Sequence, residues 1–257
     1  MSESLSWVDT HCHIYDQKTD GGTQDALTVA RDAGVRKMIV IGTDAITSQQ
    51  AISLAADNDD VWATVGLHPH DAKFGFDALL PLLGSERVVA IGECGLDYFY
   101  DHSDRQSQRE MFERQIATAN ELHLPLVIHT RDAWSETLEI LDRVGIPQRT
   151  IFHCFTGGVA EATECLLRGA YLSFSGIVTF KSADDVRMAA KLCPIDRMLL
   201  ETDSPYLAPV PFRGKTNHPA LVSLVGKFLA DLRGDSVAHI AHHTSANACL
   251  AFPGIAP

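Results

Sequence analysis

A chain of 257 residues, 46% of them hydrophobic and 21% charged, holds enough apolar material for one large core, which excludes a disordered polymer and fits a single globular domain. The formal net charge of −12 argues against an extended basic groove for duplex nucleic acid, because that affinity comes from Lys and Arg neutralising phosphates. It leaves open phosphate chemistry at one point, held through bound divalent cations.

The first apolar run, Trp7-Val8-Asp9-Thr10, ends in His11-Cys12-His13. Gln24 to Gly34 reads as a helix closed by glycine, followed by a strand at Lys37 to Gly42, a helix from Thr47 to Asp57 and a strand from Val61 to Gly66. A short helix is expected over Phe76 to Leu83, then a strand from Arg87 to Gly92, a long amphipathic helix from Asp104 to Leu122, and a fifth strand from Leu124 to His129. The second half repeats the plan. Helices are expected over Ala133 to Val144, Ala160 to Arg168 and Ser182 to Leu192, with strands at Arg149 to His153, Ala170 to Ser175 and Arg197 to Glu201. Two further helices, Ala220 to Leu232 and Ser236 to Leu250, remain to cover the barrel or its bottom. Eight strands alternating with helices predict right-handed crossovers, a parallel sheet and closure into a single (β/α)8 barrel with extra C-terminal helices. No linker or charge block marks a second domain, so residues 1–257 are expected to form one. A doubly wound open sheet is the competitor. Against it, glycine-rich phosphate fingerprints are absent and polar residues recur where barrel enzymes build their sites, at the C-terminal ends of strands.

Those strand ends carry the chemistry. Side chains at i and i+2 of a strand share a face, so His11 and His13 converge and can share a metal ion. Glu93 follows the fourth apolar run; its two oxygens can bridge two ions. His129 and His153 stand at equivalent places on adjacent strands and would complete a second site. Asp203, in Leu200-Glu201-Thr202-Asp203-Ser204-Pro205, can bind one metal and accept a proton from its water, with Glu201 as support. Glu93 and Asp203 are therefore the candidate catalytic carboxylates. His68 and His70 in Gly66-Leu67-His68-Pro69-His70, together with Tyr98, Arg131 and Arg213, are candidates for contact with an anionic substrate. His123, His239, His242 and His243 sit in helical patterns and read as structural. Alternation turns Cys12, Cys94 and Cys154 away from the ligand face, toward packing. The six cysteines, at 12, 94, 154, 165, 193 and 249, contain no Cys-x-x-Cys pair, nothing before Asp9 reads as a signal peptide, and no apolar run approaches the roughly 20 residues that span a bilayer. Reduced thiols in the cytoplasm are expected.

The segments Asp9-Thr10-His11-Cys12-His13, Gly66-Leu67-His68-Pro69-His70, Gly92-Glu93-Cys94-Gly95-Leu96-Asp97-Tyr98, His153-Cys154-Phe155-Thr156-Gly157 and Glu201-Thr202-Asp203-Ser204-Pro205-Tyr206 resemble, in order, the motifs of the TatD-related metal-dependent deoxyribonucleases of the amidohydrolase-like barrels. The resemblance runs to about Asn247. It implies two divalent ions, one among His11, His13 and Asp203, the other among His129 and His153, with Glu93 shared; imidazole ligands suit Zn or Mn, and oxygen ligands with phosphate suit Mg or Mn. It also implies hydrolysis of phosphodiester bonds in DNA, often from the 3′ end of single strands. One departure lies in Thr216-Asn217-His218-Pro219, where family members commonly carry Arg-Asn-Glu-Pro after the Arg-Gly-Lys element.

Two rivals differ in class. A hydrolase of amides, lactones or phosphoesters could use the same centre, but Glu93 occupies the end of the fourth strand where many such enzymes carry a carbamylated lysine. A non-catalytic interaction protein on the same barrel is opposed by the intact ligand set. DNA with accessible ends is the expected partner, with no membrane and no obligate protein partner.

Overall fold

The alternation read from the apolar runs is the one the chain adopts. In the computed structural model, which describes residues 5–15 and 21–255, β1 (Trp7–Cys12), β2 (Val35–Val40), β3 (Val61–Val65), β4 (Val88–Asp97), β5 (Leu126–Arg131), β6 (Thr150–Phe152), β7 (Tyr171–Phe174) and β8 (Met198–Leu200) pair in that order, each neighbour parallel. Residues 1–4, part of the stretch without an expected signal peptide, lie outside the described residues. The helices are α1 (Gly22–Asp32), α2 (Ala45–Ala56), α3 (Arg105–Leu122), α4 (Trp134–Val144), α5 (Val159–Leu167), α6 (Asp184–Leu192), α7 (Val222–Arg233) and α8 (Val237–Ala251). The barrel closes between its first and last strands. His13 N donates to Ser204 O at 2.7 Å and Asp203 N to His11 O at 2.9 Å. The buried Asp9 carboxylate accepts from Thr202 N at 2.9 Å and Thr202 Oγ1 at 2.6 Å. Burial pushes the Asp9 carboxyl up to about 8 against the lowering effect of those Thr202 bonds.

Strand alternation sorts side chains into two layers. Met38, Val40, Leu126, Ile128, Met198 and Leu200 pack outward against the helices, whereas Val8, Ile39, Val127, Ile151, Tyr171 and Leu199 fill the barrel. The last turns of the chain plug its lower end, where Ala248, Ala251, Phe252 and Ile255 join that inner cluster. Each fully buried aliphatic side chain there contributes about 1.5–3 kcal/mol. Asn247 fixes the plug by donating to Ile195 O at 2.6 Å and Met198 O at 2.8 Å. Two residues further along each strand, the same face carries His129, His153 and Glu201, so the apolar filling gives way to the site by continuing one alternation.

Two local expectations differ from the fold. Phe76 to Leu83 is no α-helix. Pro69–Phe74 and Asp77–Leu82 form two 3-10 segments, separated at Gly75 with φ 77°, and the second contains Pro81, whose missing N–H and ring preclude a regular α-helix. The fourth strand does not stop at Gly92 but runs to Asp97, with a register irregularity between Ile91 and Cys94. Glu93 consequently lies within a strand that extends above it.

Candidate metal centre

Glu93 is the hub. It follows Gly92 across a cis peptide bond, and its side chain is 5% exposed. Oε2 lies 3.4 Å from His11 Nε2 and 3.8 Å from His13 Nε2. Oε1 lies 2.9 Å from His153 Nε2, 3.1 Å from His129 Nδ1 and 3.4 Å from His68 Nε2. Each oxygen thus faces its own set of imidazoles. On the first side, Asp203 Oδ1 completes the group at 3.4 Å from His13 Nε2 and 3.6 Å from His11 Nε2. Asp203 has φ 55°, a left-handed conformation that Asp tolerates better than most residues.

Close backbone approach makes this crowding attainable. A Cβ at Gly66 would stand 2.2 Å from the Gly92 carbonyl carbon, and one at Gly95, with φ +136°, would stand 1.9 Å from His129 O. Only glycine lets β3 and β5 draw up to the strand that bears Glu93.

The charges respond to one another. Burial disfavours ionised Glu93, yet His153, His68, His11 and His129 together hold its carboxyl well below the usual range. Burial likewise opposes ionised Asp203, and hydrogen bonding to His13 with the charge of His11 overcomes it. Burial lowers His153, but Glu93 and Glu201 raise it well above an ordinary histidine. His68 goes the other way, to about 4, because burial outweighs Glu93.

This donor set fits a cation. His11 Nε2 and His13 Nε2 are 3.2 Å apart, and His153 Nε2 and His129 Nδ1 are 3.4 Å apart, so ring nitrogens converge where one proton per pair is the most that could be shared. Among the described residues, His11, His13 and Glu93 form one group able to hold an ion, and His68, Glu93 and His129 another. Imidazole with carboxylate is the chemistry that Zn and Mn accept, and Mg accepts the oxygens.

The other candidates fall into place around this core. His70 Nε2 lies 3.0 Å from Asp97 Oδ2 and borders the cavity. Arg131 borders it too, its guanidinium 4.0 Å from the Phe99 ring centre and 4.8 Å from that of Tyr100. Tyr98 and Arg213 are not part of the lining: the Tyr98 hydroxyl donates to Glu136, and the Arg213 guanidinium stacks 3.9 Å from the Phe180 ring. Glu201 is fully buried, 3.4 Å from His153 Nδ1, and accepts from Cys154 N at 2.8 Å. Cys12 and Cys94 are packed as alternation requires, whereas Cys154 takes φ 41°, which breaks the alternation and brings it to the cavity wall beside Ser175 Oγ at 3.2 Å.

Sequence reasoning missed four contributors. Tyr15 places its hydroxyl 3.1 Å from His13 Nδ1. Asp97 lies 3.1 Å from His129 Nε2; its signal was present, four residues after Glu93 on one strand. Tyr100 and Tyr206 line the cavity at 49% and 52% exposure. The cavity itself, about 1000 Å³, opens above the centre.

The family model described as TatD related DNase matches residues 8–253. The chain is 40% identical over 245 residues to the uncharacterized metal-dependent hydrolase YabD of Bacillus subtilis, covering 93% of this chain and 96% of that protein. It is 39% identical over 231 residues to the 3′-5′ ssDNA/RNA exonuclease TatD of Erwinia tasmaniensis, covering 85% and 89%. The crystal structure of YJJV, a TatD homologue from Escherichia coli K12, superimposes with a TM-score of 0.90 at 30% identity over 98% of both chains.

Proposed function

The chain belongs to the TatD-related DNase family, and from that membership and the geometry of the centre we propose a metal-dependent hydrolase that shortens single-stranded DNA from its 3′ end. The observation that carries this reading is the division of labour on Glu93, whose two oxygens face two separate imidazole sets. His11, His13 and Asp203 would hold one divalent ion and His129 and His153 the other, with Glu93 between them and His68 beside the second. Once held there, such ions would supply Lewis acidity toward a phosphoryl oxygen and acidify water. Asp203 takes the proton of the attacking water. Arg131 sits on the wall where a substrate phosphate would pass, and the half-exposed ring of Tyr206 offers a face to an unpaired base. A net charge of −12 leaves recognition to this cleft instead of a basic track, which favours free single-stranded ends over continuous duplex. We place the whole barrel, as one domain, in the cytoplasm, where its six cysteines, all free thiols, would stay reduced.

The test uses 3′- and 5′-labelled single strands and closed circular duplex, with Mg²⁺, Mn²⁺ or Zn²⁺ and with chelator. Progressive loss from the 3′ end, abolished by chelation, is expected. Nicking of the circular duplex as fast as the single strand would reject the end-dependent reading, and turnover of lactones or amides with untouched oligonucleotides would move the activity to that rival class.

A further inference from the structure

Asp97 takes no part in the reaction proposed above, yet every acceptor position of its carboxylate is in use. Oδ1 accepts from the backbone N–H of Phe99 at 3.0 Å and of Tyr100 at 3.0 Å. Oδ2 lies 3.1 Å from His129 Nε2 and 3.0 Å from His70 Nε2. The residue is 1% exposed, and Gln108 grips its main chain from both sides, accepting from Asp97 N at 2.9 Å and donating to Asp97 O at 3.1 Å. An ionised carboxylate accepts about four hydrogen bonds and donates none, so both rings turn an N–H toward Oδ2. A neutral imidazole has only one N–H. With it on Nε2, His129 presents the Nδ1 lone pair on its opposite edge, where Glu93 Oε1 is 3.1 Å and His153 Nε2 3.4 Å away.

We propose that Asp97 is a positioning residue that fixes the Nε2–H tautomer and ring plane of His129, so that Nδ1 stands ready as ligand to a divalent cation on the Oε1 side of Glu93. The inference rests on the reading of Glu93 as the centre of a cation site. It also gives the chain a physical link between that site and the cavity rim, because the same carboxylate holds the turn that carries Phe99 and Tyr100, against which Arg131 stacks.

Asp97→Asn separates this role from a structural one. Its side-chain oxygen still accepts from Phe99 and Tyr100, but its amide presents two donors to the two rings, which must answer with lone pairs on Nε2. His129 then carries its proton on Nδ1, aimed at Glu93. The probe is Zn²⁺ alone, titrated calorimetrically into wild type and variant, with thermal unfolding of both metal-free proteins. One bound equivalent should lose about 10–100-fold in affinity while the metal-free melting temperature moves little. A wild type that takes up no Zn²⁺ would overturn the metal-centre reading itself; uptake by wild type and unchanged affinity in Asp97→Asn would overturn the role of Asp97 alone. If the variant does not fold, wild-type protein loaded with ¹¹³Cd decides the matter by NMR. Coupling of cadmium to Nδ1 of His129 with Nε2–H retained supports the proposal, and coupling to Nε2 sinks it.

Discussion

Replacing Asp203 by Asn tests the proton transfer of the proposed reaction, with saturating metal offsetting its loss as a charged ligand. Three carboxylates meet at the centre. Both oxygens of Glu93 face imidazoles, and Glu201 is fully buried against His153 and Cys154 N. Asp203, its side chain 14% exposed, borders the cavity and has only Oδ1 directed at His11 and His13. It is the carboxylate left with an open side toward a reacting water. Asn keeps the side-chain oxygen near those histidines and tolerates φ 55° at that position, so shape should survive while the base is lost. General-base assistance is worth about 10²–10⁴-fold, or about 2.7–5.4 kcal/mol of barrier, and that is the expected fall in single-turnover cleavage of a labelled single strand at saturating metal. Binding of the same strand should change far less. Near wild-type cleavage, with thermal unfolding confirming a folded variant, would remove Asp203 from the mechanism; a lowered melting temperature with an intact rate would make it structural.

Tyr206→Ala should weaken binding of a single-stranded oligonucleotide by about 1–3 kcal/mol if one base stacks on that ring, read by fluorescence anisotropy in chelator; an unchanged Kd means that no base does. Asp60→Asn should cost up to about 1 kcal/mol at neutral pH, because Arg31 grips the Asp60 carboxylate at 2.6 and 2.7 Å and, against burial, holds it below its usual range. A depressed carboxyl stabilises fully above its unfolded value near 3.9 and loses that contribution as pH falls through the folded one, so urea melts of variant and wild type should converge in strong acid, and a gap independent of pH would dismiss the ion pair as its source.

The barrel was legible because its signal is periodic. Every apolar run that reads as a strand in the sequence is one, and the alternation that buries Val127, Ile151 and Leu199 also turns His129, His153 and Glu201 inward two residues later. What periodicity reports is the face of a strand, whereas the height at which neighbouring strands end is set by barrel stagger and by local breaks in register. His68 illustrates the difference. In the sequence it reads as a substrate contact, a histidine in Gly66-Leu67-His68-Pro69-His70 just past the strand expected from Val61 to Gly66. Its ring instead comes within 3.4 Å of Glu93, because Gly66 allows the end of β3 to press against Gly92. Asp97 is hard to read from the sequence for the complementary reason. The apolar run stops at Gly92, but β4 continues through a register irregularity to Asp97, and the carboxylate meets His70 and His129 from two other segments of the chain. Its four donors are scattered over residues 70 to 129, so no local window contains them. Where a strand outlasts its hydrophobic pattern at the mouth of a barrel, the polar residues of the extension are the ones that neighbouring strands must satisfy, and a search for positioning groups in such sequences should begin at even spacings beyond the ligand.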